Sequence, residues 1–334
     1  MTASAESTAP ERVSQRRFPD FFIVGHAKSG TTALYEMLRR HPQLYMPPVK
    51  EPQYFARNQS VPSGRKKTFE QTGRRPETLE QYLSLFAPAT PEQRVGEAST
   101  FYLWSPVAPG RIADARPDAR IIAIFREPAS FLHSLHLQMV QNHAESQKDL
   151  RKALALEGAR RRGRKIPRSA HWPQALMYTD RVRYVEQLCR YHEVFPREQV
   201  LALIYDDFRA DNEATVRRVL SFLEVDDGVS LAKTEANPTV AVRSVHLDGM
   251  MRSVRAARGP VSRAVKGTVK ALTTGPQRRD ILYPFRRRLV YGEPRALDPS
   301  LQNELRARFE GEVAALGEYL DRDLLTLWGY DGVR

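Results

Sequence analysis

The chain has 334 residues and carries 52 Lys and Arg against 39 Asp and Glu, a net charge of +13. Hydrophobic residues are 41% and charged residues 27%, and no apolar run approaches the roughly 18 residues of a membrane span. The single cysteine, Cys189, excludes an internal disulfide and a cysteine-built zinc site, and the eight histidines nowhere take the His-x-x-x-His spacing of a metal site on one helix face.

Residues 1–17 are small, polar and charged and read as a disordered tail. They lack the apolar centre of a secretory signal, so a cytoplasmic location is expected. Phe21-Phe22-Ile23-Val24 is a buried-strand candidate ending at Gly25, and Thr31 to Arg40 reads as the helix after it. Arg120 to Phe125 is a second unbroken apolar strand, followed by a helix over Ala129 to Gln141. Gln199 to Tyr205 is a third strand. Apolar runs without alternation suit strands covered on both faces, and strands separated by helices predict an α/β, P-loop-like three-layer fold around a mostly parallel sheet.

Three further helices are patterned. One face gathers Leu176, Tyr178, Val182, Val185, Leu188, Cys189 and His192; another gathers Val216, Val219, Leu220 and Leu223. Near the end, Leu301, Leu305, Phe309, Val313, Leu316 and Leu320 recur at helical spacing behind the Asp298-Pro299 start signal. The stretches 56–78 and 158–173 are basic and apolar-poor, and read as exposed mobile loops of one domain spanning 18–334.

The positive balance favours anionic partners. Between Arg252 and Arg288 stand eleven basic residues and one acid, Asp280. A basic membrane-facing helix through Val261, Val265 and Val269 would fit part of that region, as would an ordinary surface helix. No zinc-finger or RNA-binding signature accompanies the charge, so no specific nucleic-acid partner is expected.

The most informative stretch is FFIVGHAKSGTTAL, Phe21 to Leu34: strand, glycine-bearing loop, helix. Loop amides with a helix N-terminus behind them cradle a phosphate, and Lys28, Thr31 and Thr32 add charge and donors. The pattern departs from G-x-x-x-x-G-K-[ST], because Thr31 occupies the lysine slot and the lysine lies inside the loop. A second stretch, Ile121 to His136, puts Arg126 where a buried strand ends, with Ser134 eight residues on. Arginine and a serine hydroxyl can together grip one phosphate.

Taken together, the two motifs resemble the sulfotransferases that use 3′-phosphoadenosine 5′-phosphosulfate (PAPS). Lys50-Glu51-Pro52-Gln53-Tyr54-Phe55 looks like a segment of the heparan sulfate branch, and Gly96-Glu97-Ala98-Ser99 with Trp104-Ser105-Pro106 resembles bacterial members. Leu203 to Phe208 and Leu324 to Trp328 resemble the adenine-side strand and the family's usual ending. The resemblance implies that Ala27, Lys28, Ser29, Gly30, Thr31 and Thr32 hold the 5′-phosphosulfate. Arg126 and Ser134 would hold the 3′-phosphate, with Tyr205 near the adenine and Arg243 closing from the C-terminal side. Glu51 would be the base, with Lys28 stabilising the leaving group and no metal required.

Other residues keep alternative readings. Glu97, His133 and His136 are further candidates for the base. Tyr54, Phe55, Phe101, Tyr102 and Trp104 either pack the core or line a pocket for an aromatic or sugar-like natural product, and the expected acceptor is a hydroxyl or amine of a small metabolite, lipid or glycan. The rivals to a sulfotransferase are a P-loop kinase or NTPase and a non-enzymatic basic protein that binds nucleotide or nucleic acid.

Overall fold

A computed structural model describes residues 17–57, 75–170, 172–229, 241–242, 291–292 and 296–331. The basic run 252–288, Arg243, the tail and most of the 56–78 stretch lie outside these residues. In chain order the strands are β1 (Phe21–Gly25), β2 (Leu44–Tyr45), β3 (Arg94–Ala98), β4 (Arg120–Phe125) and β5 (Val200–Ile204). They form a five-stranded sheet in the order β2-β3-β1-β4-β5, with every neighbouring pair parallel. The helices are α1 (Thr31–Leu38), α2 (Leu79–Ser84), α3 (Ala108–Ala115), α4 (Pro128–Gln141), α5 (Leu150–Ala155), α6 (Glu157–Arg161), α7 (Tyr184–His192), α8 (Tyr205–Ala210), α9 (Asn212–Phe222), α10 (Pro299–Tyr319) and α11 (Leu324–Leu327).

Alternation along β1 and β4 builds two cores. Phe22, Val24, Ile121, Ala123 and Phe125 face the cluster that includes residues of α4, α7 and α10. Phe21, Ile23, Ile122 and Ile124 face the cluster under α1 and α9. Both faces are therefore dry, which is why these strands read as unbroken apolar runs. Each fully buried Ile or Phe contributes on the order of 2 kcal/mol relative to exposure.

Several sequence expectations are refined. β3 escaped the apolar-run criterion because RVGEA carries Gly96 and Glu97. A Cβ on Gly96 would stand 2.1 Å from the Phe21 ring, so glycine is what lets β3 lie beside β1. The third strand stops at Ile204, and Tyr205 opens α8. The predicted face from Leu176 to His192 is not one helix. Two 3₁₀ turns (Pro173–Leu176 and Thr179–Val182) precede α7, joined through the non-helical residues Met177 and Arg183. The 158–173 stretch is not wholly irregular or exposed. It opens within α6, and Arg160 is buried against Glu145 at 2.7 Å, with Tyr178 bonding the same carboxylate. Asp298 caps α10 through the Leu301 N–H, as its sequence signal implied.

Candidate active site

Four strand ends meet at one edge. β1 runs into the loop 26–30, β4 into Arg126, β3 into Ser99-Thr100, and β5 into Tyr205. In open parallel sheets, ligands bind outside the carboxyl ends of the strands.

The loop after β1 is tied to β4, since the His26 N–H donates to the Ile124 carbonyl at 2.9 Å. Lys28 takes a left-handed backbone (φ 65°), and Gly30 follows at φ 83° as the N-cap of α1. Gly30 must be glycine: a Cβ there would meet Phe208 at 2.8 Å, and α8 packs against the loop at this point. No side chain caps α1, so its first-turn N–H groups stay available to an anion. The Ser29 hydroxyl is buried and has no partner among the described residues. At the loop's root, His26 lies among the rings of Phe125, Phe131 and Tyr184. Gln187 comes close to it, yet neither ring nitrogen completes a well-formed hydrogen bond. Burial, reinforced by the Arg181 charge, holds its pKa well below the usual histidine value, so the ring is neutral.

Arg126 points back at this loop. Its Nη1 donates to the Lys28 carbonyl at 2.8 Å, its Nε to Ser130 Oγ at 3.0 Å, and its guanidinium lies 4.8 Å from the Tyr205 ring centre. Tyr184 fixes the same turn by donating to the Arg126 carbonyl at 2.9 Å. Burial lowers the pKa of Lys28, and the neighbouring Arg126 charge lowers it further. Burial likewise lowers that of Arg126, while Tyr205 and the Asp206 carboxylate act in the opposite sense. Among the described residues neither cation forms an ion pair. Two half-buried cations this close, with no carboxylate paired to either, make a site built for an anion.

Glu51 approaches from the other side of β1. Its N–H donates to the Ala98 carbonyl at 2.9 Å, which fixes it at the end of β3. Its carboxylate accepts from the Thr100 N–H at 2.9 Å, the Thr100 hydroxyl at 3.0 Å, Lys50 at 2.9 Å and Gln53 at 3.3 Å. Glu51 (φ 63°) and Gln53 (φ 54°) both have left-handed backbones, a strained geometry for side chains of this size. The Glu51 side chain is 27% exposed, open enough for a substrate to reach.

The remaining candidates separate. Glu97 is fully buried and accepts from Tyr82 at 2.5 Å, Ser99 at 2.5 Å and Tyr102 at 3.1 Å. Burial pushes its pKa up to about 7 against the pull of those hydroxyls. It is sealed from any acceptor, which corrects its reading as a base. His136 is also buried, with Nε2 on the Gln147 carbonyl at 2.8 Å, and serves the 145–147 turn instead. Phe55 belongs to the core, and Tyr54 stacks on Tyr82 with centroids 4.5 Å apart, so this pair builds a wall. Ser134 is buried in α4; the serine that Arg126 bonds is Ser130, one turn earlier. Thr100, Ser130, Arg75, Trp172 and Arg181 were not singled out in the sequence. Thr100 directly follows Gly96-Glu97-Ala98-Ser99 and was within reach of that signal, but Arg181 carried none.

A cation-rich cradle thus stands at the parallel sheet's carboxyl edge, with a carboxylate across the central strand. Residues 19–228 match the model of the Sulfotransferase family, and the chain belongs to that family. Carbohydrate sulfotransferase 15 of Homo sapiens is 25% identical over 257 residues, 63% of this chain and 44% of that protein. The membrane-associated sulfotransferase kil1 of Dictyostelium discoideum is 33% identical over 110 residues, 33% of this chain and 21% of that protein. The chain thus spans less than half the length of these curated relatives. The crystal structure of a sulfotransferase from Alicyclobacillus acidocaldarius superposes with a TM-score of 0.66 at 27% identity, covering 93% of this chain and 99% of that one. Among the described residues, no helix is long and apolar enough to cross a membrane.

Proposed function

We propose that this protein transfers a sulfuryl group from PAPS to a hydroxyl of a glycan or small-molecule acceptor. One observation carries the reading: Lys28 and Arg126, joined through the Arg126–Lys28 carbonyl bond at 2.8 Å, form a cationic pair that no carboxylate among the described residues bonds, beside the uncapped N-terminus of α1. The orphaned Ser29 hydroxyl fits the same purpose, since a donor phosphosulfate supplies its missing partner. Lys28, Ser29, Gly30, Thr31 and Thr32 would hold the 5′-phosphosulfate. Arg126, Ser130 and Ser134 would hold the 3′-phosphate, beside Tyr205. The donor supplies the activated sulfuryl group; the protein supplies position and charge.

Glu51 takes the proton from the attacking hydroxyl. Thr100 aims its carboxylate through two hydrogen bonds, and the weaker Gln53 contact is the one an acceptor hydroxyl would replace. Lys28 stabilises the charge that grows on the departing phosphate oxygen. A thermal-shift titration tests the donor assignment. Adenosine 3′,5′-bisphosphate should raise the melting temperature where ATP and AMP do not. Equal stabilisation by magnesium-ATP would transfer the reading to a kinase or NTPase.

A further inference from the structure

Beside Glu51 lies a strip of half-buried aromatic rings. Trp172 meets Phe101 edge-on at 5.2 Å, and Phe101 meets Trp104 at 5.7 Å. Phe101 and Trp104 follow Thr100, the residue that holds the Glu51 carboxylate. Both ends of the strip are cationic. Arg75, half-buried, lies 6.0 Å from the Trp172 ring centre. Arg181 lies beneath, 4.8 Å from Trp104 and 5.3 Å from Phe101, with 1% of its surface exposed.

Arg181 is the anomaly. A buried guanidinium normally has a carboxylate partner, as Arg160 has Glu145 in this same protein. Among the described residues Arg181 has none, and its Nε has no hydrogen-bond partner there either. The charge that favours its cationic form is that of Glu51, acting without a direct bond. Burial still pushes its pKa down to about 10. The protein thus holds a buried charge with no directly bonded carboxylate beneath these rings, in surroundings where screening is weak. Such a charge lowers stability, and what it can return is attraction for an anion.

We infer that the Trp172–Phe101–Trp104 strip, with Arg75 at its end and Arg181 beneath it, is the acceptor subsite, and that it takes an acceptor bearing its own carboxylate or sulfate near the hydroxyl to be modified. The rings offer flat faces to the acceptor's carbon skeleton, Arg75 meets its oxyanion, and Arg181 supplies the field that draws it in. This rests on the transfer reading for its chemistry, but not for its test.

The test is equilibrium binding, followed by tryptophan fluorescence, because Trp104 and Trp172 form the strip. A uronate disaccharide and its carboxyl methyl ester are titrated into the full chain loaded with adenosine 3′,5′-bisphosphate. The free acid should bind about tenfold more tightly than the ester, the worth of one charge-assisted contact. Arg75→Met should erase that ratio. Arg181→Met should weaken acid binding severalfold and, without ligand, raise the melting temperature by about 2 °C, because it removes a buried unpaired charge. A merely structural arginine would lower it. Equal affinity for acid and ester, or a ratio that survives in Arg75→Met, overturns the inference. Failure of the bisphosphate to bind at all is a separate result against the donor reading, and the acid-to-ester ratio is then read on the unloaded chain.

Discussion

The two sides of β1 carry opposite charge at the same edge. On the β4 side stand Lys28 and Arg126, without a carboxylate paired to either, and the nearby acids Asp206 and Glu127 are already engaged, Asp206 by the Trp328 indole N–H at 2.9 Å. Glu127 caps α4 by accepting from the Ala129 and Ser130 N–H groups and also accepts from the Tyr330 hydroxyl. On the β3 side stand the carboxyl groups of Glu51 and Glu97, each surrounded by donors. The central strand thus divides a cationic half, which the proposed function gives to a donor's phosphates, from an acidic half, which it gives to the acceptor's proton. Held apart, the two halves do not neutralise each other, and each keeps its capacity for substrate.

Substitutions on the cationic side should break this division most severely. Lys28→Ala should lower kcat/KM for sulfate transfer by about 10³, the upper range for removing one oriented charge-stabilising donor. Arg126→Ala should in addition weaken bisphosphate binding, since it also frees the Lys28 carbonyl. Radiolabelled sulfate incorporation reads the first and calorimetry the second. On the acidic side, Glu51→Gln should cost about 10² in turnover and leave bisphosphate affinity unchanged. Loss of nucleotide binding in that variant would show that the two halves are not separate.

The cationic half was the more legible in sequence. Its residues lie close along the chain, Lys28 to Thr32 and Arg126 to Ser134, on elements whose apolar runs announce them. The acidic half is assembled from distant pieces: Glu51 from a loop, Thr100 from the turn after a strand that a glycine and a buried glutamate disguise, Arg181 from a 3₁₀ turn. Spacing carries no signal for that kind of convergence. Glu97 illustrates the limit. Its motif placed it near the site correctly, but only the hydroxyls of Tyr82, Ser99 and Tyr102, brought in by the fold, show that it faces inward.

Glu97 also makes the acidic half sensitive to pH. Its pKa is about 7 in the fold against 4.5 for a free glutamate. The folded state therefore keeps a proton that the unfolded chain releases between those values. Stability from this group is complete at low pH and declines as pH rises through the interval, by up to about 1.4 kcal/mol per unit. Glu97→Gln has no such slope. Its urea midpoint should lie below that of the wild type at pH 5, and the gap should close by pH 8. A gap that stays constant would mean that Glu97 ionises normally and the acidic half is more hydrated than its burial implies.

The smallest effect tests whether Arg126 is held in advance or by its ligand. Ser130 Oγ is its side-chain partner at 3.0 Å, one turn before Ser134 on the same helix. Ser130→Ala removes one hydrogen bond to a charged group that keeps its Lys28 anchor and its Tyr205 face, so bisphosphate affinity should fall only about threefold to tenfold. The result sharpens the comparison of the two halves. A loss near tenfold means that α4 presets the arginine as rigidly as Thr100 presets Glu51. No change means that the backbone of the Lys28 loop alone aims it, so the cationic half is organised from β1 and the acidic half from β3.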